Sequence, residues 1–445
     1  MKSRFSKVAV LLAAMSFGIV GTVAAADPTF YFDLVNEVFG YGQDTTTIII
    51  DSPVPVSGGS VSKSTFSVWT KNVLPGFTEA VDGADGINVI YEGARQITDV
   101  FVSESNRWNE LKPAAYGRYI IIKLEYGKQR VAAGDDASAF PGVAGASTMA
   151  YVKLAGSAGQ YNYLLDLQYQ LNQKSPFTLA SGQVIKAGKF VKRGEINPLV
   201  EEFDAGVYDG LYYQCYTPKN VTGKLPLVVW LHGSGERTTP FGIQNQNLLR
   251  ANEEGVAWIT PESQAARPAY ILLPQSPIPG WTDDAGRQKV KALIDQILAT
   301  ANIDESRVYL AGDSMGGRGT WTMLREYPDL FAAAITAPSG DSYDDPTVLE
   351  PIKNIPIWQL NIAGDSLEGT EATYKTMRSI NANIRRTHYP TVRDVDTWNQ
   401  PHWVWVPTLQ NIPTTSDQYI VDQNPLDIPG QHILDWLFSQ QKKSN

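Results

Sequence analysis

Cysteine and histidine are scarce in this 445-residue chain, which has one Cys and four His. The single Cys215 cannot form an internal disulfide, so the fold must be held by buried cores, as large domains can be. It lies in the aromatic run Leu211-Tyr-Tyr-Gln-Cys-Tyr216 and reads as a packed strand residue rather than a reactive thiol. The four scattered His show no metal-ligand clustering, so no metal centre is expected. Basic residues are also in short supply: 37 Lys and Arg face 46 Asp and Glu, a net charge of −9. Such a chain has no electrostatic footprint for nucleic acid or an anionic membrane. Past residue 26 no apolar stretch approaches the ~20 residues that span a bilayer. There is neither a phosphate-cradling glycine loop nor a dinucleotide fingerprint, and no cofactor is expected.

Apolar and aromatic material, by contrast, is plentiful. Hydrophobic residues make up 43%, including 11 Trp, 21 Tyr and 15 Phe, which excludes a disordered chain. The length suggests two or three domains. Residues 1–26 read as a secretory signal peptide, with Lys2, Arg4 and Lys7 ahead of the mostly apolar Val8–Val23 and small residues at Val23-Ala-Ala-Ala26. The protein is therefore expected outside the cytoplasm, extracellular or periplasmic. No Cys follows the cleavage region, which argues against a lipid anchor.

The remaining chain has two grammars. Over residues 27–197, short runs rich in β-branched and aromatic residues alternate with turn residues: Thr45–Ile50, Ser64–Trp69, Gly86–Tyr91, Ile97–Ser103, Arg118–Tyr126 and Tyr161–Gln170. That spacing predicts an antiparallel β-sandwich. A structural or spacer role and a carbohydrate- or surface-binding role both fit it. Over residues 198–445, apolar runs at Leu225–Leu231, Ala269–Pro274, Arg307–Ala311, Ala332–Ala337 and Ile355–Asn361 alternate with helical stretches, notably Asp284–Ala301 and Met315–Tyr327. This is the pattern of a doubly wound α/β sheet, whose ligands bind at the carboxyl ends of the strands.

The chemistry-bearing residues fall at those ends. Gly312-Asp-Ser314-Met-Gly316 follows one strand and opens a helix, as a nucleophile elbow does. In a chain with 37 Gly the five-residue pattern is weak alone, and its strand-to-helix setting strengthens it. A base is needed later in the chain, since this fold presents nucleophile, acid and His in that order. His402, in the loop Gln400-Pro-His-Trp-Val-Trp405, is preferred. His388 reads as a strand interior, His432 as part of the terminal helical segment His432–Gln440, and His232 precedes the Ser. Asp365, just past Ile355–Asn361, is the expected acid, with Glu368 its nearby rival. Asp341, Asp344 and Asp345 form a polar loop, while Asp394 and Asp396 sit too close to His402 along the chain. Acyl transfer also needs donors for a developing oxyanion. The N–H groups of Met315 and of Ser234, in the loop His232-Gly-Ser-Gly235, are the candidates. Glu236 and Arg237 read as an ion pair bracing that loop. Trp281, Trp403 and Trp405 either wall a substrate pocket or pack the core.

On these residues the chain resembles the bacterial carboxylesterases that carry an N-terminal immunoglobulin-like domain, often labelled predicted peptidases. The likeness is loose over Thr46–Val68 and Arg95–Leu124. It is close at Pro226–Arg237 (PLVVWLHGSGER), Trp258–Gln275, Gly312–Trp321 (GDSMGGRGTW), Pro328–Ala333 (PDLFAA), His402–Pro407 (HWVWVP) and Asp435–Gln440 (DWLFSQ). It implies an α/β-hydrolase domain behind an immunoglobulin-like sandwich, a Ser314–Asp365–His402 triad, and hydrolysis of small-molecule or polymer-linked acyl esters. Two departures lie near the implied pocket rim: Asn361-Ile-Ala-Gly364 before the acid, where the family usually has His-Gly, and Thr238-Thr-Pro240 after Arg237. A stretch at about Thr414–Pro429 is inserted before the last helix. A peptidase of the same fold, or a surface-binding protein with a silent hydrolase domain, are the alternative readings. Natural substrate and oligomeric state stay open at this level.

Overall fold

The structure, a computed structural model, describes residues 27–75, 89–127, 143–153, 160–238, 244–277, 280–281, 283–339, 342–362, 365, 369–389, 402–410 and 431–442. The leader at 1–26, the insertion at 414–429, Glu368, Asp341, Asp394 and Asp396 lie outside these residues.

Among the described residues, the first half supplies twelve strands: β1 Thr29–Phe39, β2 Gly42–Ser57, β3 Phe66–Val73, β4 Val89–Arg95, β5 Ile97–Ser103, β6 Tyr116–Leu124, β7 Met149–Lys153, β8 Gln160–Leu164, β9 Asp166–Gln173, β10 Phe177–Thr178, β11 Val184–Ile185 and β12 Lys189–Ile196. A five-stranded sheet, β12-β1-β2-β6-β5, faces a three-stranded one, β4-β3-β9. Alternation decides which residues point inward. Along β9, Leu167, Tyr169 and Leu171 are buried while Asp166, Gln168 and Gln170 are exposed. Phe30, Phe32, Ile48, Ile50, Ile120 and Ile122 meet them from the larger sheet. The sandwich is not wholly antiparallel as expected, because β12 joins β1 in parallel. The expected single strand over Tyr161–Gln170 is two, since β8 ends at Leu164 and pairs with β7 in a separate hairpin while β9 begins at Asp166.

The second half contributes β13 Asp204–Tyr208, β14 Leu211–Tyr216, β15 Leu225–Leu231, β16 Tyr270–Pro274, β17 Ile303–Gly312, β18 Ala333–Thr336, β19 Ile357–Ile362 and β20 Ile384–Tyr389. They form one sheet in the order β13-β14-β16-β15-β17-β18-β19-β20. The pairs from β16 to β20 are parallel, and β13 and β14 add an antiparallel edge. The central strands are apolar on both faces because both are covered. Helices Asp284–Thr300 and Met315–Glu326 bury Val290, Leu293, Trp321 and Leu324 against one face. Residues Val404–Leu409 and helix Ile433–Ser439 place Trp405, Leu434 and Trp436 against the other. This is an α/β-hydrolase domain behind an immunoglobulin-like sandwich. Cys215 lies on β14, and burial pushes its thiol up to about 12, as suits a packing residue. Among the described residues no helix is long and apolar enough to cross a membrane.

Candidate active site

The loops after β15, β17 and β19 leave the sheet at the same edge, and the chain returns to that edge after β20. β17 ends at Gly312, and Ser314 follows at φ 51°, a left-handed backbone that few side chains adopt. The helix begins at the next residue, so the N–H of Met315 lies in its first turn, where no intrahelical acceptor exists. The turn is tight because the backbones nearly touch. A Cβ on Gly316 would stand 1.7 Å from the carbonyl oxygen of Leu231 and 2.8 Å from that of His232. Only glycine admits this approach, which sets the Ser314 turn directly against the loop after β15.

That loop, 232–237, is held firmly. His232 is fully buried; its Nε2 accepts from the N–H of Ser276 at 2.9 Å, and its Nδ1 meets the carbonyl of Gly233 at 2.6 Å. These partners require the neutral imidazole with its proton on Nδ1. Burial agrees, holding His232 down at about 3. The indole of Trp281 donates to the His232 carbonyl at 3.0 Å, Arg237 Nε donates to that of Ser234 at 2.9 Å, and Gln275 Nε2 to that of Glu236 at 2.8 Å.

Glu236 and Arg237 do not pair with each other as expected. No ion pair within 4 Å joins them, although the Arg237 charge still favours the ionised Glu236 carboxyl, and each reaches into the N-terminal domain: Asn162 Nδ2 donates to Glu236 Oε1 at 2.5 Å, and the Arg237 guanidinium lies 5.0 Å from the centre of the Tyr161 ring. Beneath the loop, Glu236, Asp313 and Glu254 are all buried. Burial pushes Glu236 up to about 7, and burial with the neighbouring carboxylates holds Asp313 and Glu254 well above the usual carboxyl range. Asp313 also accepts from the Trp230 indole at 3.1 Å. Among the described residues no set of His, Cys, Asp or Glu is arranged to hold a metal ion.

Two strands away from Ser314's strand, His402 Nδ1 and Asp365 Oδ2 are 2.8 Å apart. The Asp365 side chain is 5% exposed and that of His402 30%, so the ring is anchored on one side and open on the other. With Nδ1–H donating to the carboxylate, Nε2 is left as an acceptor. Trp405 meets the imidazole edge-on at 5.7 Å. The other histidines are engaged elsewhere. His388 sits within β20 opposite Asn361, and His432 caps the last helix by accepting from the N–H of Leu434. Of the three tryptophans considered as pocket walls, Trp281 and Trp405 are 1% and 2% exposed. Trp403 is half-buried and tilted against Trp405 at 5.9 Å. Sequence reasoning missed Asn162 entirely, because nothing local marks it. For the buried Asp313 the one available signal is a carboxyl set inside the tightly packed Gly312–Gly316 turn.

Comparison with known proteins matches the two halves separately. Residues 32–186 match the model of the esterase Ig-like N-terminal domain, and residues 211–346 that of the esterase PHB depolymerase family. A solved structure described as that of a thermostable esterase superposes with a TM-score of 0.71 at 26% identity, covering 93% of this chain and all of that one. Among curated proteins, acetylxylan esterase A of Emericella nidulans is 26% identical over 160 residues, 35% of this chain and 51% of that protein. Poly(3-hydroxyalkanoate) depolymerase C of Paucimonas lemoignei is 28% identical over 126 residues, 28% of this chain and 30% of that protein. The chain thus spans about half or less of these curated relatives.

Proposed function

Because the chain belongs to the esterases in which an immunoglobulin-like domain precedes an α/β-hydrolase domain, we propose that it is an exported carboxylesterase working through Ser314, His402 and Asp365. His402 Nε2 takes the Ser314 proton as the hydroxyl attacks the ester carbonyl. Asp365 fixes the ring through Nδ1 and stabilises the imidazolium that forms. The N–H groups of Ser234 and Met315 receive the oxyanion. His402 then returns the proton to the leaving alcohol, and a water activated by the same ring releases the acid.

The 2.8 Å bond between His402 and Asp365 carries this reading. Two residues 37 positions apart meet at the strand edge where Ser314 occupies its strained turn. Export rests on the basic and apolar pattern of residues 1–26. The curated relatives include an acetylxylan esterase and a polyhydroxyalkanoate depolymerase, which favours acyl groups carried on polymers or small alcohols.

A panel of p-nitrophenyl esters, acetylated xylan, poly(3-hydroxybutyrate) and aminoacyl p-nitroanilides tests the proposal. Ester turnover that greatly exceeds anilide turnover, and that disappears in Ser314→Ala, is the expected result. Anilide turnover matching or exceeding ester turnover would make the protein a peptidase instead.

A further inference from the structure

The glycine loop is gripped from two sides, and one of them belongs to the other domain. From the hydrolase side come the Ser276 N–H on His232, Trp281 and Gln275. From the N-terminal side comes the β7–β8 hairpin, chiefly through Asn162. Its backbone N–H donates to the carbonyl of Gly235 at 2.9 Å, and its side-chain amide to Glu236 Oε1 at 2.5 Å. Its own carbonyl accepts from the side-chain amide of Asn247. The next main-chain contact, Leu164 N–H to Gln244 Oε1 at 2.9 Å, fastens the same strand again. Asn162 is therefore tied to the hydrolase domain at three of its polar groups and has little freedom to drift.

What Asn162 holds lies under the loop. A Cβ on Gly233 would stand 2.7 Å from Asp313 Oδ2 and 3.4 Å from Glu236 Oε2. The Gly233 backbone thus rests on two carboxylates, one belonging to the residue before Ser314 and the other fixed by Asn162. Glu236 is only 6% exposed, so no water shell is available to replace a lost donor. A shift of the Glu236 side chain shifts the surface on which Gly233, the residue before Ser234, lies.

From this juxtaposition we infer that Asn162 is a positioning residue for the reaction: by fixing the Glu236 carboxylate and the Gly235 carbonyl, it aims the Ser234 N–H at the oxyanion, so that the N-terminal domain completes the catalytic site. The inference rests on the esterase reading above and deepens it. Asn162 touches no reacting atom; it acts through the loop. Misplacing catalytic donors by a fraction of an ångström to an ångström is costly, up to ~10²-fold.

Three variants of the full chain test it: Asn162→Leu, Asn162→Asp, and the double variant Asn162→Asp with Glu236→Gln, which exchanges donor and acceptor across the same contact. kcat and KM on p-nitrophenyl acetate, the rate of fluorophosphonate labelling and the melting temperature are read for each. Each single variant is expected to lower kcat and labelling ~10-fold or more with KM changed little, and the double variant to recover most of the loss. Activity falling only in step with melting temperature, with no recovery in the double variant, would overturn the inference, as would single variants within about twofold of wild type. Wild-type protein that neither hydrolyses esters nor takes the label would instead overturn the esterase reading, and the inference with it.

Discussion

The serine side of the site is dry and the histidine side is not. Around Ser314, the side chains of His232, Glu236, Glu254 and Asp313 are at most 6% exposed, and each is perturbed by that burial. Across the sheet edge, His402 keeps 30% of its side chain in contact with solvent and leans on one carboxylate. The dry side contains ionisable groups whose charged forms burial disfavours and which touch no reacting atom in the proposed mechanism; rigid surroundings of this kind are where preorganised electrostatic stabilisation comes from. In the proposed mechanism the wetter side contains the group that gains and loses a proton in every turnover, and a sealed imidazole would do that badly.

If that division holds, the largest losses come from the atoms that react. Ser314→Ala and His402→Ala should each lower kcat by ~10³-fold or more, with folding intact by circular dichroism. His388→Ala and His432→Ala should leave kcat near wild type, and a collapse in either of them alone would move the base. Asp365→Ala should cost less, ~10²-fold or more, because the carboxylate acts through the ring. On the dry side the expected damage is structural. Gly316→Ala should fail to accumulate as folded protein in a soluble-expression assay, since its Cβ has no room against Leu231.

A subtler contrast appears in the dependence of stability on pH. Glu236 has its folded value raised from 4.5 to about 7, so between those values the native state binds more protons than the unfolded one. Its contribution is present below 4.5 and is lost as pH rises through 7. His232 has the opposite sign. Its folded value is depressed from 6.5 to about 3, so its contribution is present above 6.5 and is lost as pH falls toward 3. Glu236→Gln keeps an amide oxygen for Asn162 and removes the titration. Its gain in melting temperature over wild type should therefore be larger at pH 8 than at pH 4; equal shifts at both would show that folding does not raise the carboxyl's value. The smallest effect is expected at Cys215. Cys215→Ala should leave turnover unchanged, and thiol reagents should not inhibit the wild type, since burial keeps the thiol protonated.

The same contrast governs how much was legible from the amino-acid order. The hydrolase half announces itself because strands covered on both faces must be continuously apolar. Leu225–Leu231 is therefore legible to the residue, whereas of Ile303–Gly312 only Arg307–Ala311 is, because the strand opens on the polar Asp304, Glu305 and Ser306 and closes on Gly312. The sandwich was harder. The edge strand Lys189–Ile196 is polar on much of its surface and joins in parallel, so neither alternation nor hairpin spacing reveals it. Of the proposed triad, Ser314 and Asp365 stand out by their positions just past strands, and His402 by lying in the loop beyond the last one. The Glu236–Arg237 pair was misjudged for a reason no local pattern can repair. Adjacent opposite charges look like partners, but the hydrogen bond to the Glu236 carboxyl comes from Asn162, 74 residues away in sequence.

The central claim is that His402, held by Asp365, activates Ser314. Fluorophosphonate labelling of the wild type, His402→Ala and His388→Ala, with the modified residue mapped by peptide mass spectrometry, tests it most directly. The account predicts one adduct, on Ser314, forming at wild-type rate in His388→Ala and ~10³-fold or more slower in His402→Ala. An adduct on another residue, or labelling of Ser314 that does not slow when the imidazole at 402 is removed, would contradict it.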